Sequence, residues 1–171
     1  MNRRESDDSD TVVGIVTGTF QVDRETPFVW CTTTAAPGLA VSEDLLTVQK
    51  QSHGQGLVLG SKGFSRGVHY WEVQVQACKF GEMYIGVAEQ GPRDNNRHWR
   101  NYGFVNYRAV QCGYEGERLY GEFYNAGDKV GVLLDMDHGT ISFYQEGDEF
   151  GVVMTGCVRP PPSSPPTPQH P

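Results

Sequence analysis

No run of apolar residues in this chain approaches the roughly 20 that a membrane-spanning helix needs, and no window holds three turns of helical apolar period. Positive charge is scarce. Fourteen Lys and Arg stand against 21 Asp and Glu, a net charge of -7, which disfavours nucleic acid and anionic membrane as main partners because both are bound through positive fields. The four cysteines (Cys31, Cys78, Cys112 and Cys157) never form a CxxC pair, which argues against a zinc ribbon, and reduced thiols are expected. The five histidines lack ligand spacing, so neither a metal nor a cofactor is expected. The start of the chain is charged and carries no apolar h-region, which speaks against a secretory signal and for a cytoplasmic protein. At 171 residues there is room for one domain.

Composition divides the chain in three. Residues 1–10 form a charged lead expected to be disordered. Residues 11–158 alternate short apolar runs with glycine-containing turns, and 159–171 is a proline tract that can build neither core nor sheet. The middle region reads as all-β. In His69–Gln76, Trp71, Val73 and Val75 share one face and Tyr70, Glu72 and Gln74 the other, the alternation of a half-buried strand. Met83–Val87 reads as a second strand. Lys129–Met136 and Thr140–Tyr144 flank Asp137-His138-Gly139 as a hairpin, with Val130, Val132, Leu134, Ile141 and Phe143 facing one way. Gly147 then turns the chain into a strand over Phe150–Met154. Short strands at roughly ten-residue spacing predict an all-β, two-sheet antiparallel β-sandwich.

Particular residues carry a family resemblance. The run Gly63-Phe64-Ser65-Arg66-Gly67-Val68-His69-Tyr70-Trp71-Glu72-Val73 resembles the signature first strand of SPRY domains. Asp128–Asp137 followed by Gly139–Tyr144 resembles their long hairpin, and Pro37–Leu45 resembles the PRY segment that precedes SPRY in tripartite-motif and butyrophilin-like proteins. The resemblance covers about residues 30–155. It implies a twisted sandwich whose loops bind a protein or peptide ligand, often as the substrate receptor of a ubiquitin ligase, and it implies no catalysis. Family members continue past the strand matching Phe150–Met154 into further strands, whereas here Gly156-Cys157-Val158 runs into prolines, which cannot donate to a ladder. The resemblance therefore implies a sandwich lacking its last strands, a truncated or alternatively spliced form.

Several motifs compete with that reading and lose on context. Gly63–Gly67 matches GxSxG, but a nucleophile elbow needs a strand before and a helix after Ser65, and here a strand follows. Lys62 lacks the Ser or Thr that a phosphate loop places next, since Gly63 follows. Asp135–Gly139 could suggest calcium or a carboxylate dyad, with Glu146 at the twelfth position. Gly139 falls at the fifth position and Thr140 at the sixth, so the residues fit an ordinary hairpin turn instead. No catalytic residue is assigned.

The candidate binding residues lie in loops. Trp99 stands among Arg93, Arg97 and Arg100 with Asn95 nearby, and Trp and Arg are enriched among binding hot spots. By resemblance the ligand surface also takes in the segment before GFSRG, with Gln51, His53 and Gln55; Tyr114 marks a third loop. In the tail, Arg159, Pro162 and Pro165 fit RxxPxxP, which suits a polyproline-reading domain and makes an adaptor the alternative function. Each large apolar side chain left bare by absent strands would forgo about 1.5–3 kcal/mol, against a total stability of about 5–15 kcal/mol. The isolated chain is therefore expected to be only marginally stable and to melt below the ordinary midpoint of roughly 45–65 °C; scanning calorimetry checks this, and a sharp melt within that range would remove the argument.

Overall fold

The computed structural model describes residues 14–19, 28–52, 56–79, 83–89, 100–105, 108–112 and 116–155. Eleven strands account for most of them: β1 Gly14–Thr19, β2 Leu39–Val41, β3 Thr47–Lys50, β4 Val68–Cys78, β5 Tyr84–Glu89 and β6 Arg100–Val105, then β7 Ala109–Cys112, β8 Glu117–Leu119, β9 Lys129–Asp135, β10 Thr140–Gln145 and β11 Asp148–Thr155. A 3-10 turn at Thr32–Thr34 is the single helical element among the described residues, and no helix there is long and apolar enough to cross a membrane. All pairings are antiparallel. One sheet has seven strands in the order β11-β10-β9-β4-β1-β3-β2, the other four in the order β5-β6-β7-β8. The expected all-β sandwich is what the chain forms.

The alternation read in His69–Gln76 holds over the longer strand β4. Trp71, Val73 and Val75 are buried, while Tyr70, Glu72 and Gln74 on the other face are half-buried. The hairpin register sets Leu134 opposite Ile141, Val132 opposite Phe143 and Val130 opposite Gln145, so the expected apolar residues meet on one face. The PRY-like block folds as the β2–β3 hairpin. Its turn is closed by Ser42 Oγ, which accepts from Thr47 N at 2.9 Å, and by Asp44 Oδ1, which accepts from Leu46 N at 3.0 Å. These short polar side chains supply the bonds that a turn's backbone lacks.

Between the sheets lies one core. Phe104, Phe143, Ile141 and Tyr124 are fully buried with Val73, Val75, Val110, Val130 and Val132. Gly121 is required at its position: its φ is +64° and a Cβ there would come within 2.9 Å of the Phe104 ring. The segment after β8 ties the sheets together. Tyr124 Oη lies 2.8 Å from the Met83 carbonyl and 3.1 Å from that of Phe104, both on the four-stranded side. A few residues on, Gly127 N donates to Val75 O at 2.8 Å, and Val75 N donates to Asp128 O at 2.9 Å, on the seven-stranded side. Burial pushes the Tyr124 hydroxyl well above its ordinary pKa, so it stays a neutral donor. Tyr124→Phe keeps the ring and removes the buried O–H that the Met83 and Phe104 carbonyls share. The expected loss is about 1–3 kcal/mol, or roughly 2–4 °C of Tm per kcal/mol for a chain of this size, read by denaturant and thermal unfolding side by side.

Candidate functional site

Strand polarity divides the sandwich into two ends. β4 finishes at Cys78 and β5 begins at Tyr84, while β8 finishes at Leu119 and β9 begins at Lys129. Those two crossings share one end, together with the β6–β7 turn, because Tyr84 pairs with Val105, Val105 with Ala109 and Ala109 with Leu119. At the other end of the four-stranded sheet, Glu89 pairs with Arg100, and Gln111 with Glu117. From that end depart the 90–99 and 113–115 connections.

The second end is built firmly on the seven-stranded sheet. Gly67 N donates to Asp137 Oδ1 at 2.8 Å, and Met136 N donates to Gly67 O at 2.9 Å, so the turn leading into β4 is clasped to the β9–β10 turn. Asp135 Oδ1 accepts from Asp137 N and His138 N at 3.0 and 2.9 Å, and Asp135 Oδ2 lies 2.8 Å from His138 Nδ1. The aspartates that might have held calcium thus serve the turn's own N–H groups, as hairpin chemistry requires. Phe64 stacks on His69 with ring centroids 3.8 Å apart, and His69 Nε2 lies 2.7 Å from Arg66 O. Ser65 is exposed, with irregular chain before it and β4 after it, so the strand–turn–helix of a nucleophile elbow is not formed. Among the described residues no three His, Cys, Asp or Glu side chains gather as a metal group.

Of the sequence-derived binding residues, Gln51 alone lies among the described residues. It is exposed and its N–H donates to Gly38 O at 2.8 Å. It follows Lys50 at the end of β3, whose neighbour Gln49 pairs through Ile15 to Ala77 near the finish of β4. Gln51 therefore stands at the first end, away from the strand termini Glu89, Arg100 and Glu117. His53, Gln55, Arg93, Asn95, Arg97, Trp99, Tyr114, Arg159, Pro162 and Pro165 lie outside the described residues. What the sequence reasoning missed is at the first end: exposed Leu119 and Phe123 beside Arg108. β8 is three residues long and exposed throughout, too short for alternation to declare a face.

An antiparallel two-sheet sandwich carrying connections at both ends, with its polar turn residues spent on structure, is the class of molecule that these features define. The sequence profile of the SPRY domain matches residues 68–162, and the chain belongs to that family. It is 31% identical over 126 residues to the E3 ubiquitin-protein ligase TRIM9 of Drosophila melanogaster, covering 64% of this chain and 16% of the relative. To the probable E3 ubiquitin-protein ligase TRIML2 of Homo sapiens it is 34% identical over 133 residues, covering 65% of this chain and 29% of the relative. The chain thus spans less than a third of the length of either relative. Among solved structures, the SPRY domain of human HERC1 superposes with a TM-score of 0.62 at 21% identity, over 77% of this chain and 84% of that one, a likeness of fold.

The turn pair yields a titration. Asp135 raises the His138 pKa above its ordinary 6.5 through a side-chain hydrogen bond and its charge, with Asp137 adding to the same effect. A raised folded-state pKa contributes stability that is fully present below pH 6.5 and is lost as pH rises through the folded value. His138 is exposed and Asp135 only half-buried, so solvent screens the pair and the contribution is small. The His138 imidazole followed by NMR should titrate above 6.5, and Asp135→Asn should bring its midpoint down; an unchanged midpoint would refute the coupling.

Proposed function

We propose that this chain is a protein-interaction module that captures an extended segment of a partner on the connections at the Glu89–Arg100 end of its four-stranded sheet. The observation that supports it is the pairing of Glu89 with Arg100 and of Gln111 with Glu117, which makes the segments bearing Arg93, Asn95, Arg97, Trp99 and Tyr114 leave the same sheet at the same end. Two connections rooted on one rigid edge present their side chains together, the usual construction of a recognition surface. Trp99 supplies the large anchor and Arg97 the donors that fix its partner's orientation, with Arg93, Asn95 and Tyr114 as further candidates on the same two connections. Gln51 stands at the opposite strand ends, and His53 and Gln55 remain candidates of the same segment.

Its relatives bear the name of ubiquitin ligases, and in such a setting the module selects the substrate while other parts of the protein carry out transfer. The reading involves no catalysis by this chain. The polyproline motif at Arg159, Pro162 and Pro165 supplies the competing adaptor reading, in which a partner's polyproline-reading domain is held by the tail. Two constructions separate them. The Arg97→Ala, Trp99→Ala double variant should lose partner capture in cell-extract pull-downs, by at least tenfold, with an unchanged circular-dichroism melt. Deletion of residues 159–171 should leave capture intact; loss of every partner on that deletion, and none on the double variant, would replace the module by the adaptor.

A further inference from the structure

A second surface lies at the opposite end and does not depend on the loop reading. Arg108, Leu119, Tyr120, Gly121 and Phe123 line an open depression of about 490 Å³. Single exposed leucines are ordinary on protein surfaces, but Leu119 is not single. It is 90% exposed beside Phe123, itself 45% exposed, and the Arg108 guanidinium sits 5.8 Å from the centre of the Phe123 ring. Arg108 holds that place at a conformational cost. Its φ is +64°, a left-handed backbone in the β6–β7 turn that glycine would adopt without strain. Strain retained at an exposed arginine points to a use for its side chain.

The geometry shows which part of Arg108 is committed. Nε donates to Gly121 O at 3.3 Å and lies 3.4 Å from Glu122 Oε2, while Nη1 and Nη2 make no bond to a described residue. Those two nitrogens form the fork that receives a carboxylate in two parallel hydrogen bonds. Beside the depression runs β8, which pairs with β7 alone among the described strands. Tyr120 N donates to Arg108 O at 2.9 Å, which fixes the phase of the ladder. By antiparallel alternation Arg118 turns its amide and carbonyl toward β7, and Leu119 turns its own off the open edge.

We infer that this edge takes an extended acidic peptide segment: one strand added along β8, an apolar side chain seated against Leu119, Tyr120 and Phe123, and a carboxylate held by Arg108 Nη1 and Nη2. The occupant is extended because the open edge offers main-chain partners at Leu119. It is apolar at one position because Leu119 is 90% exposed, and it is acidic because the Arg108 donors that bond no described residue belong to a cation. A basic or neutral segment would leave them unmatched.

The test uses the full 171-residue chain and three synthetic heptapeptides rich in threonine, each with one central leucine and, two places along, aspartate, lysine or alanine. Fluorescence anisotropy should rank the aspartate peptide at least tenfold above the other two. Its NMR shift changes should centre on the amides of Leu119, Tyr120 and Phe123. Arg108→Gly suits the backbone at that turn, so it removes the guanidinium without endangering the fold. That variant and Leu119→Ser should each weaken the aspartate peptide at least tenfold with melting preserved. Equal binding of the three peptides, no binding at millimolar concentration, or shift changes elsewhere would overturn the inference. So would a concentration-dependent dimer, seen by sedimentation velocity and abolished by Leu119→Ser, since the occupant would then be a second copy.

Discussion

Tyr124 sits in no strand, and both sheets are referred to it. Its hydroxyl addresses the carbonyls of Met83 and Phe104 on the four-stranded side, while the residues just after it exchange backbone bonds with Val75 on the other. A phenol buried that deeply costs free energy unless its O–H is satisfied. Here satisfaction is available when the two sheets stand at one separation, so a polar requirement sets the thickness of an apolar core. Phe104 then packs against Tyr124, Phe143 and Phe150 at ring distances of 5.1 to 5.8 Å. Tyr120 closes the flank where β8 faces β11, donating to Gly151 O at 2.7 Å and accepting from Phe143 N at 3.2 Å. Burial lifts its hydroxyl to about 12, so it too remains protonated and able to donate across the physiological range.

The strands that could be read from the sequence were those with one wet face and one dry one. Trp71, Val73 and Val75 in β4, and Val130, Val132 and Leu134 against Ile141 and Phe143, repeat at a period of two long enough to identify both the strand and its buried side. The segment 120–128 gave no such signal, because it works through single residues. Tyr124 and Gly121 owe their roles to partners far along the chain, which no local pattern encodes. The same holds for the surface at Arg108. Nothing about an arginine followed by Ala-Val-Gln announces a left-handed backbone or a distant phenylalanine under the guanidinium. The candidate loops were recognisable by composition alone, and composition does not tell which end of a sheet a loop leaves from. That is why Gln51 was grouped with residues whose strands terminate at the opposite end.

The outer face of the large sheet shows how closely side chain and backbone are matched. Tyr70 lies over Gly131, where a Cβ would meet its hydroxyl at 2.5 Å. The Tyr70 Oη donates to Glu72 Oε1 at 3.0 Å, and its ring meets Tyr144 edge-on at 5.6 Å. Partial burial and the neighbouring Glu72 carry the Tyr70 hydroxyl to about 12. These tyrosines act as neutral struts on that face.

The clasp between Gly67 and the β9–β10 turn joins residues 70 positions apart, and β4 pairs with β9 across 55 to 67 positions. A ribosome must therefore release most of the sandwich before its central strand gains that neighbour. Until then β4 is an eleven-residue ribbon with a row of bulky apolar side chains and one open margin. Folding of such non-local pairings is slow, and during synthesis the nascent chain presents to the cell's chaperones the very strand that later lies deepest in the finished sheet.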